Sequence, residues 1–166
     1  KENRLSSPAD AFKQLGSINL QALKEMRLLI HHLRPSNLEE MGLVDALRHR
    51  LETVEQRSGI KAQLELNDEL PPLSVSIEDE LYAIVQEALN NSLRHSSASK
   101  VTVEIKLVKN ELILLVQDNG VGFEIQNVKQ GIGLGSMKER ARKIDADFEI
   151  TSQPGQGTLV KVKVEI

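Results

Sequence analysis

The order of predicted helices and strands favours an α+β fold, an α/β sandwich in which helices cover one face of a mixed, mostly antiparallel sheet. Two alternating apolar segments, "KVTVEIKLV" and "ELILLVQD", are joined through Lys109 and Asn110, which predicts a β-hairpin. Two further strands, "DFEITSQ" and "GTLVKVKVEI", end the chain. Helical patterns precede and separate these strand pairs. Strands that follow one another through hairpins argue against a doubly wound parallel sheet.

A long amphipathic helix is predicted first. It begins at Ser7 and Pro8, an N-cap followed by proline, and ends at about Leu33. Apolar residues occupy its heptad a and d positions, namely Phe12, Leu15, Ala22, Met26, Leu29 and Leu33. No helix of similar length elsewhere in the sequence covers this stripe, so we expect it to pair with another chain. Asn19 holds the remaining a position, where it either fixes the register of that pairing or lies at the solvent edge.

The remaining elements follow in order. A second helix is predicted near Leu43 to Arg57, with Gly59 as its C-cap. "IKAQLEL" alternates as a strand does, and a third helix is predicted from about Ser76 to Arg94. The glycine-rich segment from Asn119 to Gly135 has little periodicity, which indicates a long loop. A last helix is predicted near Leu134 to Ile144.

Composition limits the functions that this chain can have. A formal net charge of -3 and 2% aromatic residues offer a polynucleotide neither a basic field nor stacking surfaces, so we expect no nucleic-acid partner. The absence of cysteine excludes disulfides, thiolate metal sites and cysteine nucleophiles. No apolar run approaches the ~20 residues that span a bilayer. The start, "KENRLSS", lacks an initiator Met and a signal-peptide core, so we expect a soluble fragment of a longer protein.

The segment "QEALNNSLRHS" places polar residues beside the apolar stripe of the third helix. Glu87, Asn91 and Arg94 follow at spacings of four and three, so they share one helix face. One amide oxygen suffices for a Mg²⁺ ion that is shared with substrate phosphates, which leaves Glu87 free to act on a proton. An ordinary solvated helix face remains the alternative. The neighbouring apolar stripe, expected to face the sheet, consists of Ile77, Leu81, Ile84, Val85 and Ala88.

Two glycine-containing segments flank predicted strands. In "VQDNGVGFE" the Asp118 carboxylate can accept a hydrogen bond from an exocyclic amine such as that of adenine, while Gly120 and Gly122 let the backbone approach a flat ring. A simple turn after a strand explains this motif equally well. Gly157 and Thr158 open the last strand, where a hydroxyl can reach a base, but this pair alone means little.

A third glycine segment, "QGIGLGSMKERA", precedes the last predicted helix. Free N–H groups and the helix dipole can point at phosphates there. The spacing is weak evidence by itself. It is not the P-loop pattern, and no strand leads directly into it as a dinucleotide-binding fold requires.

In order and spacing, "EALNNSLRH", "DNGVGF", "GIGLGSMKERA" and "GQGTLVKVKV" closely resemble the N, G1, G2 and G3 boxes of the ATP-binding domain of bacterial sensor histidine kinases. Gyrase, Hsp90 and MutL share this Bergerat fold. "GLGSMKERA" and "LIHHLRPSNLEEMGLVDAL" are similar to the NarL, LiaS and DesK branch of two-component kinases. The resemblance covers about Ala22 to Ile166. It implies that residues 1–35 are the second helix of a dimerisation and phosphotransfer hairpin, and that residues 36–166 are the ATP-binding catalytic domain.

The resemblance implies a role for each matched residue. Glu87 corresponds to the acid that assists proton removal from the attacking histidine, and Asn91 to the Mg²⁺ ligand. Arg94 and His95 correspond to phosphate contacts, and Asp118 to the aspartate that binds the adenine amino group. The other nucleotide contacts would come from the base-lining glycines, the ATP lid and the G3 threonine, namely Gly120, Gly122, Gly131, Gly133, Leu134, Gly135 and Thr158.

One departure from the family pattern concerns the phosphorylated histidine. In the family it precedes an acidic residue, commonly in an "HD" pair, whereas no His of this sequence is followed by Asp or Glu. His31 and His32 lie near the end of what resembles the second hairpin helix. We therefore expect the acceptor histidine to lie outside this chain. The chain itself should bind ATP with Mg²⁺ but should not phosphorylate itself.

The resemblance also implies partners and a location. It implies a response regulator of the NarL type, a homodimer formed by the hairpin in the full-length protein, and a cytoplasmic position within a membrane-anchored parent. Two other functions stay open. One is another ATPase or anti-sigma-factor-type kinase of the same fold, and the other is a non-catalytic regulator-binding module.

Overall fold

The computed structural model describes residues 36–125 and 132–166, together with Phe12 and Gly16. The chain divides into two units, Lys1–Ser36 and Asn37–Ile166. In the first unit the described residues Phe12, Gly16 and Ser36 are helical, and Phe12 is exposed. The other positions of the first predicted helix, Asn19 among them, lie outside the described residues. The pairing of that helix and the boundary at residue 35 therefore stay predictions.

The described helices and strands follow the predicted order. They are α1 (Ser36–Ser58), β1 (Lys61–Leu66), α2 (Val75–Asn91), β2 (Lys100–Val108), β3 (Glu111–Asp118), α3 (Ile132–Lys143), β4 (Asp147–Ser152) and β5 (Thr158–Glu165). A π-helical segment, Ser92–Ser96, directly follows α2. In the described ranges every helix is too short or too polar to span a bilayer.

The strands form one mixed sheet in the order β1-β2-β3-β5-β4. Strand β1 is parallel to β2, and the other neighbouring pairs are antiparallel. The β2–β3 hairpin turns through Lys109, which has a φ of 58°, and Asn110. The predicted fold class is therefore confirmed.

The core lies between the helices and one face of the sheet. Alternate residues of β2, β3 and β5 are buried, as expected for strands with one covered face. The predicted inner stripe of α2 is confirmed, because Leu81, Ile84, Val85 and Ala88 are buried and Ile77 is partly buried against the same core. The opposite face of the sheet carries surface ion pairs.

Helix α1 contains a break at Gly42, whose φ of 76° and ψ of 173° are not helical. The sequence predicts that this helix starts near Leu43, but residues 36–41 are already helical, so the predicted start was wrong. Leu38 is buried, and its burial in the core anchors this short piece. Gly59 ends the helix as predicted, with a φ of 71° and an N–H that donates to the Glu55 carbonyl at 2.9 Å.

The α-helical geometry of α2 stops at Asn91, three residues before the predicted end at Arg94. In the π-helical segment, the Ser92 hydroxyl oxygen lies 3.1 Å from the Ala88 carbonyl oxygen, and the Ser96 hydroxyl donates to the Ser92 carbonyl at 2.6 Å. Serine hydroxyls that bond to backbone carbonyls compete with regular helical hydrogen bonding. The end of α2 is therefore reshaped by its serines.

Helix α3 begins at Ile132, two residues before the predicted start. Gly133 and Gly135 consequently belong to its first turn and not to the preceding loop, which corrects the predicted loop end. The predicted loop contains no helix or strand from Asn119 to Glu124. Residues 126–131 lie outside the described part of the chain.

An ion-pair cluster connects α3 to α2. The Glu80 carboxylate accepts from Arg140 Nη1 at 2.6 Å and from Lys143 Nζ at 2.9 Å. The Glu80 and Arg140 side chains are only 13% and 14% exposed, so salt screens this pair less than a surface pair. Because Met137 and Ala141 of α3 are buried, the ion pairs reinforce apolar packing.

We predict that Glu80→Ala lowers the free energy of unfolding by about 1–2 kcal/mol, because it leaves a nearly buried guanidinium without its carboxylate. Urea denaturation measures this change. Glu139→Ala is the matched control, since Glu139 pairs with Arg142 on the exposed surface of α3. Equal stability losses in the two variants would contradict a specific role for Glu80.

Candidate functional site

The buried polar residues of the described ranges are concentrated at one end of the sheet. They are Ser92, Ser96, Asp118 and Ser152. Asp118 and Ser152 end β3 and β4, and the two serines of the π-helical segment contact the end of β3 and the loop after it. A buried polar group is costly unless it is hydrogen-bonded, and each of the four has a partner. This concentration marks the candidate site.

Strand register places three polar side chains in one row. Asp118 on β3 is directly opposite Thr158 on β5, and Thr158 is opposite Ser152 on β4. Directly opposed residues of antiparallel strands project from the same face of a sheet. Two residues further along the strands, Val116 and Val160 are buried on the helix-covered face. The row therefore ends the apolar core with hydrogen-bonding groups.

The Asp118 carboxylate is held from two sides. Its Oδ1 accepts the Gly120 N–H at 2.9 Å, and its Oδ2 accepts the Ser92 hydroxyl at 2.8 Å. Asp118 is 5% exposed, and none of the described ion pairs involves it. An ionised carboxylate has about four lone-pair positions, so these two bonds leave capacity for another donor. The carboxylate can accept a hydrogen bond from a ligand.

Glycines let the loop backbone pack closely around this carboxylate. A Cβ on Gly120 would clash with the Ser96 carbonyl, and one on Gly157, which has a φ of 75°, would clash with the Asp118 carbonyl. Gly122 has a φ of 59°, and a Cβ there would clash with the Gln153 carbonyl. At Gly120 and Gly122 the loop after β3 therefore packs against its neighbours without space for a Cβ.

The Thr158 hydroxyl is held by Ser152. The two oxygens lie 3.1 Å apart. The Ser152 hydroxyl also lies 2.9 Å from the Gly157 carbonyl, to which it can donate, and it accepts the Phe123 N–H at 3.0 Å. Ser152 thus joins the β4–β5 turn to the loop that follows β3.

A second polar group lies between α2 and α3. Glu87 and Asn91 are half-buried, and neither forms a hydrogen bond or ion pair with another described residue. A Cβ on Gly133 would clash with Glu87 Oε1 and lie 3.5 Å from Asn91 Nδ2. The first turn of α3 therefore approaches these two side chains directly.

The other predicted site residues lie in the π-helical segment, in the first turn of α3, or outside the described residues. Arg94 and His95 are exposed on the π-helical segment that follows α2. Leu134 packs partly buried against the core, and the Cβ position of Gly135 points into open space. Gly131 lies outside the described residues.

Ser92, Ser96 and Ser152 are not among the site residues predicted from the sequence motifs. Ser92 gave a usable signal, because it lies four residues after Ala88 and so continues the apolar stripe of α2 with a hydroxyl. A buried hydroxyl in a core position needs a partner. No sequence pattern marks Ser152 in this way, since its place beside Thr158 follows from the pairing of β4 with β5.

Comparison with known proteins identifies the family. Residues 76–166 match the model of the histidine kinase-, DNA gyrase B- and HSP90-like ATPase family. Sensor histidine kinase LiaS of Bacillus subtilis (strain 168) is 44% identical over 147 residues, which covers 88% of this chain and 40% of LiaS. Sensor protein VraS of Staphylococcus aureus (strain COL) is 38% identical and covers 100% of this chain and 48% of VraS.

Solved structures agree on the fold. Histidine kinase AdeS of Acinetobacter baumannii aligns with a TM-score of 0.64 at 14% identity, covering 98% of this chain and 86% of that one. The histidine kinase domain of the blue-light-activated kinase from Erythrobacter litoralis EL346 aligns with a TM-score of 0.62 at 18% identity, covering 72% and 58%.

The chain belongs to the histidine kinase-, DNA gyrase B- and HSP90-like ATPase family, and the resemblance inferred from its four motifs is confirmed. It spans less than half the length of the two curated relatives described above.

We predict that Gly120→Ala destabilises the domain by roughly 1–3 kcal/mol, since its methyl group would overlap backbone atoms of Ser96. Gly135→Ala is the matched control. Its Cβ would meet nothing within 4 Å in the first turn of α3, so it should leave stability unchanged or slightly raised. Thermal denaturation of both variants tests the close packing of Gly120 on Ser96. A Gly120→Ala variant as stable as the wild type would refute it.

Proposed function

We propose that this chain is the ATP-binding catalytic part of a sensor histidine kinase, with residues 36–166 as the catalytic domain and residues 1–35 as the second helix of a dimerisation and phosphotransfer hairpin. Family membership and the names of the relatives support this proposal. The observation that carries it is the buried Asp118 carboxylate, which is hydrogen-bonded on both oxygens and retains capacity for one more donor.

Asp118 would accept a hydrogen bond from the exocyclic amine of adenine. Thr158 stands beside it in the same row, so its hydroxyl can reach the base directly or through water. Gly120 and Gly122 would line the ring, because backbone without side chains can approach a flat surface closely. Selectivity for adenine would then rest on one fixed acceptor.

The donor set around Asn91 fits a magnesium ion that is shared with phosphates. In the described ranges no group of three His, Asp or Glu side chains is placed to hold a metal. Mg²⁺ keeps several waters and is often bound by one or two protein oxygens together with substrate phosphates, a role that the Asn91 amide oxygen can fill. When bound there, the ion would neutralise phosphate charge.

The chemistry would depend mainly on positioning. Glu87, one helical turn before Asn91, would take the proton from a histidine that attacks the γ-phosphate in line. Arg94 and His95 would contact phosphates from the π-helical segment. The residues Gly131, Gly133, Leu134 and Gly135 would belong to the lid over the nucleotide, where the N–H groups at the start of α3 can face anionic oxygens.

The acceptor histidine would come from outside this chain, on the first helix of the hairpin. From there the phosphoryl group would pass to an aspartate of a response regulator of the NarL type. The full-length protein would dimerise through the hairpin, and this portion would lie in the cytoplasm below a membrane anchor. Exposed Phe12 is compatible with a helix whose apolar side is covered by another chain.

We predict that Asp118→Ala abolishes measurable ATP binding while the chain stays folded, because adenine loses its only charged acceptor. Isothermal titration calorimetry measures the affinity, and circular dichroism verifies the fold. Unchanged ATP affinity in a folded Asp118→Ala variant would refute the role of this carboxylate.

We also predict that Asn91→Ala removes the part of ATP affinity that depends on Mg²⁺, since the ion loses its protein oxygen. The matched control is Asn90→Ala, because the adjacent Asn90 side chain accepts from Arg50 Nη2 at 3.1 Å and serves packing of α1 on α2. Titrations with and without Mg²⁺ should differ in the control and converge in Asn91→Ala. Identical Mg²⁺ dependence in both variants would count against the assignment.

A phosphotransfer assay separates a kinase from another ATPase of the same fold. The chain is incubated with γ-labelled ATP and a separate helical hairpin that carries an "HD" pair. Acid-labile label on the hairpin is the expected result, because phosphohistidine is unstable in acid. Release of free phosphate alone would instead support an ATPase, and nucleotide binding without either product would support a regulator-binding module.

A further inference from the structure

We propose that Ser92 is a positioning residue for adenine recognition: its buried hydroxyl fixes the orientation of the Asp118 carboxylate that receives the exocyclic amine. This inference rests on the proposed function, since it concerns how the same carboxylate is aimed.

The two oxygens of Asp118 are held by different parts of the chain. Gly120 N–H, which binds Oδ1, belongs to the loop directly after β3, whereas the Ser92 hydroxyl, which binds Oδ2, comes from the end of α2. A carboxylate held at one oxygen can rotate about its Cβ–Cγ bond, because such torsions are broad. The second bond from Ser92 removes that freedom and fixes which lone pairs face a ligand.

The single hydroxyl hydrogen of Ser92 has two acceptors within reach. Asp118 Oδ2 is 2.8 Å from Ser92 Oγ, and the Ala88 carbonyl oxygen is 3.1 Å away. Bonds to an ionised acceptor are shorter and stronger than bonds between neutral groups. The shorter contact therefore identifies Asp118 as the principal acceptor.

Burial increases the importance of this bond. Ser92 and Asp118 are each 5% exposed, so water competes little for either group. Removing one partner of a buried charged hydrogen bond leaves the other poorly solvated. Loss of the Ser92–Asp118 bond should weaken recognition of the adenine amine and not of the phosphates, since the Ser92 hydroxyl forms no bond to Glu87 or Asn91.

Ser96 supplies the matched control. It is also buried and lies in the same π-helical segment, but its hydroxyl bonds only to backbone, donating to the Ser92 carbonyl and accepting the Ala98 N–H. Ser96→Ala therefore deletes a buried hydroxyl without touching the Asp118 side chain. Ser92→Thr keeps the hydroxyl that Ser92→Ala removes.

The experiment compares calorimetric affinities of the 166-residue chain for ATP and for purine riboside triphosphate, which lacks the exocyclic amine. The wild type should prefer ATP. Ser92→Ala should lose roughly tenfold in ATP affinity, the effect of one bond to a charged group, with analogue affinity unchanged. Ser92→Thr should restore the preference, and Ser96→Ala should keep it.

Two negative results have different meanings. Equal affinity of the wild type for both triphosphates would overturn the role of Asp118, and with it this inference. If the wild type prefers ATP over the analogue and Ser92→Ala prefers it equally, only the role of Ser92 is overturned. If Ser92→Ala does not fold, Ser92→Cys replaces it, because cysteine is similar in size to serine but is a weak donor. Ser92→Cys must then show a reduced preference for ATP over the analogue. Wild-type preference in that variant would also refute the proposal.

Discussion

The candidate site depends on the burial of one carboxylate at the end of the central strand β3. Asp118 ends a strand whose inward residues are otherwise apolar, so its charge has to be satisfied by hydrogen bonds inside the fold. The chain meets this requirement with an N–H from the glycine loop and a hydroxyl from the end of α2. The close packing of Gly120 on Ser96, and the π-helical geometry that places Ser96 there, belong to the same arrangement.

Helix α2 connects the two polar groups of the candidate site. Ser92, which directly follows this helix, binds Asp118, while Glu87 and Asn91 of the helix lie against the first turn of α3. The C-terminal part of one helix therefore helps to place both the acceptor proposed for a base and the groups proposed for phosphates. The Glu80 ion pairs hold α3 beside α2 at the far end of that helix. A site that acts by positioning its ligand requires binding groups that are precisely placed on rigid helices and strands.

Sequence patterns predicted most of the fold because apolar alternation reports directly on which residues face the core. The bounds of β2 and β3 follow from it, as does the inner stripe of α2. The helical piece before Gly42 carries little periodic signal, since its six residues cover fewer than two helical turns. Gly133 and Gly135 indicate a loop in the sequence because glycine is a weak helix former. Long-range relations were inaccessible. The row of Asp118, Thr158 and Ser152 depends on strand register, and the partner of Ser92 is 26 residues away.

The central claim is that Asp118 receives the amino group of a purine nucleotide whose phosphates lie toward Asn91. A crystal structure of this chain with a nonhydrolysable ATP analogue and Mg²⁺ tests it most directly. The account predicts the exocyclic amine within hydrogen-bonding distance of an Asp118 carboxylate oxygen, with Ser92 still bound to Oδ2. A purine seated elsewhere, or a carboxylate that remains without a ligand contact while nucleotide is bound, would contradict it.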